Sequence, residues 1–142
     1  MNINDAGLAL IKEFEGLRLK AYLDVAGIWT IGFGHVGRDV YPGCPPITAA
    51  KALELLKADI AGAESDVTYA IKVPLNANEF SALVSFVFNL GITKTKYSTL
   101  FELLNDDKRK DAAEQFGRWV KAGGVEQPGL VIRRAKEKAL FL

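Results

Sequence analysis

The stretch Glu15-Gly16-Leu17-Arg18-Leu19-Lys20-Ala21-Tyr22-Leu23-Asp24-Val25-Ala26-Gly27, continuing as Ile28-Trp29-Thr30-Ile31-Gly32-Phe33-Gly34-His35-Val36, decides how this chain is read. Apolar residues alternate from Leu17 to Tyr22, which is the period of a strand. Residues 23–27 read as a turn. Residues 28–36 are rich in β-branched and aromatic side chains and read as a second strand. Gly32 and Gly34 mark a bend in it, or a place where another group comes close. On the N-terminal side, Asn4 can cap a short helix whose apolar face is Leu8, Leu10, Ile11 and Phe14, and Gly16 ends it. The pattern is a helix followed directly by a β-hairpin.

Beyond the hairpin, residues 37–46 form a loop with three prolines. Thr48 then caps a long amphipathic segment reaching about Ile71, with Leu53, Leu56, Ile60, Ala63 and Val67 at helical spacing. Pro74 stops it. Asn76 and Glu79 have capping-box spacing ahead of residues 80–90, which are apolar nearly all round and read as a buried central helix. Gly91 closes that helix. Thr99 with Glu102 marks another helix start, residues 111–121 form an amphipathic segment ending at Gly123-Gly124, and Pro128-Gly129 precedes a last helix to about Leu140. The expected fold is α+β and mostly helical. A small N-terminal lobe with a β-hairpin, about residues 12–47, is joined by a long helix, about 48–71, to an all-helical lobe of residues 72–142 plus 1–11. A cleft is expected between the lobes.

The 142 residues are 49% hydrophobic and 25% charged, which excludes disorder and fits one globular domain. No run of about 18 apolar residues is present to span a membrane. The start, Met1-Asn2-Ile3-Asn4-Asp5, has neither a basic nor an apolar secretory segment, so the expected location is the cytoplasm of the producing cell. A single cysteine, Cys44, fits a reducing compartment and forms no internal disulfide. One His and one Cys at a distance give no metal-ligand spacing, and no cofactor motif occurs. The net charge of +1 argues against nucleic acid as a partner. That charge is uneven: residues 1–107 carry −4 and residues 108–142 carry +5. Arg133, Arg134, Lys136 and Lys138 form a basic cluster expected to steer the protein towards a polyanion.

Carboxylates are the remaining source of chemistry. Glu15 stands at a helix end, Asp24 in the hairpin turn, and Thr30 on the returning strand. Such an arrangement can gather the three around one opening. Glycoside hydrolysis needs one protonated carboxyl to serve the leaving oxygen and one ionised carboxylate to activate water. Phe14, Leu17 and Leu19 beside Glu15 point to it as the acid, and the exposed turn points to Asp24 as the base. Taken alone, a Glu at a helix end and an Asp in a turn are most often solvated surface residues.

The segment Glu15 to Asp24 followed by Thr30-Ile31-Gly32-Phe33-Gly34-His35 resembles the phage-type lysozymes of glycoside hydrolase family 24. That family's pattern is Glu, eight residues, Asp, five residues, Thr, and Glu15, Asp24 and Thr30 match it without a gap. Similarity continues through residues 82–91, 98–100, 119–124 and 129–134, covering nearly the whole chain. The resemblance implies a lysozyme-like fold and an endolysin, a muramidase cutting the β-1,4 bond between N-acetylmuramic acid and N-acetylglucosamine in peptidoglycan. Glu15 would be the general acid. Asp24 and Thr30 would position and activate water, with inversion at the anomeric carbon, for which the carboxyls stand about 6.5–9.5 Å apart.

The resemblance also implies that Arg134 pairs with the catalytic Glu, that His35 forms a structural ion pair with Asp59, and that Val36, Phe88 and Thr99 line the sugar site. Trp29 and Trp119 read as core residues rather than sugar platforms. Without a leading anchor helix, release to the periplasm and wall would depend on a holin, and a monomer is expected. Two alternatives carry different expectations. A lytic transglycosylase would cut the same bond without water, and a non-catalytic wall-binding module would not need the Glu15, Asp24 and Thr30 set.

Overall fold

A computed structural model describes all 142 residues. The chain divides into two compact units: Lys12–Gly62, and Met1–Ile11 together with Ala63–Leu142.

The unit Lys12–Gly62 holds the end of helix α1 (Asp5–Glu15), strands β1 (Arg18–Leu23) and β2 (Trp29–Gly32), and the first part of helix α2 (Ala49–Ala70). The strands are antiparallel, with Leu23 opposite Trp29 and Tyr22 opposite Thr30. The register breaks between Arg18 and Tyr22, and the Arg18 guanidinium lies 4.6 Å from the centre of the Tyr22 ring. The second strand is shorter than the sequence suggests. It ends at Gly32, and the chain reverses through Phe33 and Gly34 so that Ile31 and His35 exchange both backbone hydrogen bonds. Gly32 and Gly34, at φ +68° and +77°, make that reversal possible, since side-chain-bearing residues rarely adopt such angles. Thr48 caps α2 through its hydroxyl, which accepts from the Lys51 N–H at 3.1 Å. Leu56 and Ile60 are buried along α2, and Ala52 takes the inward position next to the half-buried Leu53.

The second unit is built around helix α3 (Ala77–Leu90). The Asn76 side chain accepts from Glu79 N–H and the Glu79 carboxylate accepts from Asn76 N–H, a complete capping box. Every residue from Glu79 to Val87 is buried, as the all-round apolar pattern predicts. Helix α3 packs most extensively against the last helix, α7 (Pro128–Phe141), which ends the series α4 (Ile92–Thr95), α5 (Thr99–Asn105), α6 (Arg109–Glu114) and α7. Phe86, Phe116, Trp119 and Phe141 meet edge to face at ring separations of 5.2 to 5.7 Å, each pair adding about 0.5–1.5 kcal/mol beyond the area it buries. The start of α1 belongs here as well. Asn4 caps it by accepting from Gly7 N–H, and a Cβ at Gly7 would stand 2.7 Å from Ser81 Cβ, so only glycine permits this approach to α3.

Three details depart from the sequence reading. The cap of α5 is Ser98, whose hydroxyl accepts from Phe101 N–H, while Thr99 is the first helical residue. The segment expected as one helix over residues 111–121 breaks after Glu114 into a single tight turn, Phe116–Arg118. Gly123 and Gly124, both at positive φ, then join two short strands, β3 (Lys121–Ala122) and β4 (Val125–Glu126), so this unit is not all-helical.

Candidate active site

Of the residues singled out in the sequence, Glu15, Asp24, Thr30, His35, Val36 and Asp59 lie in the unit Lys12–Gly62, and Phe88, Thr99 and Arg134 lie in the other.

Asp24 opens the turn of the hairpin. Its Oδ1 accepts from the N–H groups of Ala26 at 2.8 Å and Ile28 at 2.9 Å, an Asx-type turn that holds the loop from inside. Val25, at the tip, is fully exposed. Thr30 is 3% exposed, and its hydroxyl donates to the Ile28 carbonyl at 2.9 Å. The Asp24 N–H donates to that same carbonyl at 3.0 Å. The two candidate water-handling residues are therefore fixed on the peptide groups of one residue, Ile28. Chemically this is well suited to water. Both backbone donors meet one Asp24 oxygen, which leaves the other oxygen to accept from solvent. Thr30 commits its proton to Ile28, so its oxygen keeps lone pairs to act as an acceptor.

Glu15 is the last residue of α1 and is half-buried. Its carboxylate lies against Gly34 of the reversed turn. Leu17 and Leu19, expected to give it an apolar surround, are 43% and 42% exposed. Gly16 ends the helix at φ +70°, Leu17 follows it, and Leu19 lies on β1 (Arg18–Leu23).

His35 is held from both sides. Its Nδ1 is 2.8 Å from Asp59 Oδ2 on α2, and its Nε2 is 2.9 Å from Asp39 Oδ2. Burial by itself lowers the imidazole pKa, but the hydrogen bonds and charges of the two carboxylates outweigh it and raise the value above 6.5. Two acceptors require both ring nitrogens to carry protons, so the geometry is that of an imidazolium. Nothing in the sequence singles out Asp39 beyond its place four residues after His35. Val36, next in the chain, is 48% exposed.

In the other unit, Phe88 is half-buried on α3 and Thr99 is exposed. Arg134 is 1% exposed; its amino groups donate to Glu137 Oε1 at 2.6 Å and to Asn89 Oδ1, and its guanidinium lies 5.2 Å from the Phe86 ring centre. Burial lowers its pKa from the ordinary value. Arg133 is also buried, donating to Glu137 Oε2 and to the Ser85 carbonyl. Lys138 pairs with Glu114 at 2.8 Å. The basic cluster expected at Arg133, Arg134, Lys136 and Lys138 is therefore not a surface patch. Its two arginines serve the interior, because residues 133, 134 and 137 face inward on α7. Trp119 stacks edge-on against Phe86, consistent with a packing role.

A family model described as Phage lysozyme matches residues 12–137. The chain belongs to the phage lysozyme family. It is 47% identical over 143 residues to the endolysin of Bacillus phage PZA, covering 99% of this chain and 55% of that protein. The chain thus spans about half the length of that relative. It is 42% identical to the endolysin of Salmonella phage P22, covering 100% of this chain and 99% of that one. Among solved structures, the endolysin from Escherichia coli O157:H7 phage FAHEc1 superposes with a TM-score of 0.93 at 41% identity, covering 100% of this chain and 94% of that chain. Membership in the phage lysozyme family accords with the α+β, mostly helical class, the lysozyme-like fold and the hairpin between helices.

Proposed function

We propose that this chain is the catalytic domain of an endolysin that hydrolyses the β-1,4 bond between N-acetylmuramic acid and N-acetylglucosamine. The observation that carries this reading is the shared anchoring of Asp24 and Thr30 on Ile28, in a chain of the phage lysozyme family. A water placed there donates one hydrogen to the free Asp24 oxygen and one to Thr30 Oγ1. Its lone pair is then directed away from both, towards the anomeric carbon. Asp24 takes the proton as the C–O bond forms, and Glu15 delivers its proton to the departing glycosidic oxygen. Water attack on the face opposite the leaving group inverts the anomeric configuration. Val36, Phe88 and Thr99 are proposed to touch the sugar, and Arg134, His35 and Asp59 to hold the surrounding structure.

Clearing of permeabilised Gram-negative cells tests the assignment: the wild type should clear them, and Glu15→Gln should not. Full activity of Glu15→Gln overturns it. Mass spectrometry of digested peptidoglycan separates hydrolysis from transglycosylation, since 1,6-anhydro products contradict a water nucleophile. The first product anomer, followed by NMR, should be inverted. We extend the proposal to delivery through a holin and to action as a monomer. No helix is long and apolar enough to cross a membrane. Lysis of expressing cells without a co-expressed holin would overturn that delivery route.

A further inference from the structure

The turn that follows Thr30 presses on Glu15. A Cβ built at Gly34 would lie 2.6 Å from Glu15 Oε2 and 3.5 Å from its Cδ, at a backbone φ of +77°. Real Cβ contacts of that length do not occur, so the carboxyl occupies space that only a glycine leaves open. The turn has little freedom to retreat. Ile31 and His35 close it with two backbone hydrogen bonds of 2.8 and 2.9 Å, and the His35 ring is tied to Asp59 on α2 and to Asp39. A side chain at position 34 therefore moves the carboxyl, not the turn. The end of a glutamate side chain yields easily, so the fold would tolerate the change while the acid is displaced.

We propose that Gly34 is a positioning residue for the proposed general acid: its missing side chain sets where the Glu15 carboxyl rests. This inference rests on the role given to Glu15 above. Restoring an ordinary contact from 2.6 Å shifts the carboxyl oxygen by roughly 1 Å, a misplacement that can cost a reaction on the order of 100-fold. The ground-state grip on the glycan does not depend on that oxygen to the same degree, so the loss should appear in kcat and leave KM nearly unchanged.

Gly32 supplies the control. Its φ of +68° imposes the same backbone demand, but a Cβ there meets only Ala52 and Ile47 at an ordinary 3.4 Å. The experiment compares Gly34→Ala with Gly32→Ala on soluble uncrosslinked glycan strands, with melting temperatures measured in parallel. The expected result is a similar fall in melting temperature for both, a loss in kcat on the order of 100-fold for Gly34→Ala alone, and KM within about twofold of wild type. Should either alanine variant fail to fold, Gly34→Asn and Gly32→Asn repeat the comparison, because asparagine accepts positive φ more readily and still carries a Cβ. Equal kcat losses at both positions, a KM-only effect, or full kcat in the Gly34 variants would overturn the proposal. Glu15→Gln is run alongside. If it is as active as wild type, the reading of Glu15 fails. If it is inactive while the Gly34 variants keep full kcat, only the inference about Gly34 fails.

Discussion

The Glu137 carboxylate and the Arg134 guanidinium meet at 2.6 Å where neither side chain is more than 1% exposed. Ser85 donates its hydroxyl to the other Glu137 oxygen at 2.6 Å, and Arg133 donates to that oxygen at 3.3 Å. Burial, the largest influence, raises the Glu137 pKa and lowers that of Arg134, while their mutual attraction opposes both changes. Removing Glu137 takes the counter-charge at 2.6 Å away from the buried Arg134, and removing the Ser85 hydroxyl takes a donor from the buried Glu137. Glu137→Ala should therefore cost about 3–5 kcal/mol in denaturant unfolding, and Ser85→Ala about 1–3 kcal/mol.

Asp24 has a structural and a proposed chemical role that can be separated. Asp24→Asn keeps an oxygen for the Ala26 and Ile28 N–H groups but cannot take a proton from water. It should unfold within about 1 kcal/mol of wild type and lose about 10²–10⁴-fold in kcat. Asp24→Ala should lose activity and loosen the turn as well, seen as faster amide exchange at Ala26 and Ile28.

The His35 bracket makes stability depend on pH in a stated direction. A histidine whose folded pKa is raised contributes stability that is complete below its unfolded value near 6.5 and is lost as pH rises through the folded value. Asp39, held below its ordinary 3.8 by the His35 hydrogen bond, contributes above that value and loses its share as pH falls through the lowered one. The stability gap between wild type and His35→Asn should thus be widest between about pH 4 and 6.5 and shrink above that range. Within the window, Asp59→Asn should cost about 1–3 kcal/mol and the exposed Asp39→Asn less than about 1 kcal/mol.

The capping box of α3 also carries an ion pair, because Arg109 donates to Glu79 Oε2 at 2.8 Å and to the Pro74 carbonyl at 2.7 Å. Glu79→Ala removes both functions and should cost more than Asn76→Ala, which removes only the cap, at about 1 kcal/mol. Thermal unfolding of the two variants checks the order.

The elements most legible in the sequence are those fixed by local chemistry. Asn4, Thr48 and the Asn76–Glu79 pair each act as the cap their residue types announce. The period-2 pattern of residues 17–22 falls on a strand from Arg18 onward, and residues 80–87, apolar but for two serines, on a buried helix. Gly32 and Gly34 were readable as a bend or a close approach, and they are both. What escaped was set by contacts distant in sequence. Nothing near Glu137 shows that it draws Arg133 and Arg134 inward, so a basic run looked like surface. Leu17 and Leu19 read as an apolar surround for Glu15, but the chain is exposed on every residue from Leu17 through Lys20. The hairpin at Gly123-Gly124 did have a local signal, a glycine pair suited to a tight turn, but it was masked by the helical pattern before it. For the site, the spacing of Glu15, Asp24 and Thr30 was visible, while the common anchor of Asp24 and Thr30 at Ile28 uses backbone groups that no side-chain pattern records.

The split of one unit into Met1–Ile11 and Ala63–Leu142 has a consequence for biosynthesis. Residues 1–11 are translated before Lys12–Gly62, yet Ser81, which accepts from Asn4 N–H and packs on Gly7, is made seventy-odd positions later. A helix of 11 residues is too short to hold its shape in water by itself. The inserted stretch Lys12–Gly62, with its hairpin, is translated in full before α3. Residues 1–11 are thus held in reserve, and they take their place only when α3 emerges to receive them.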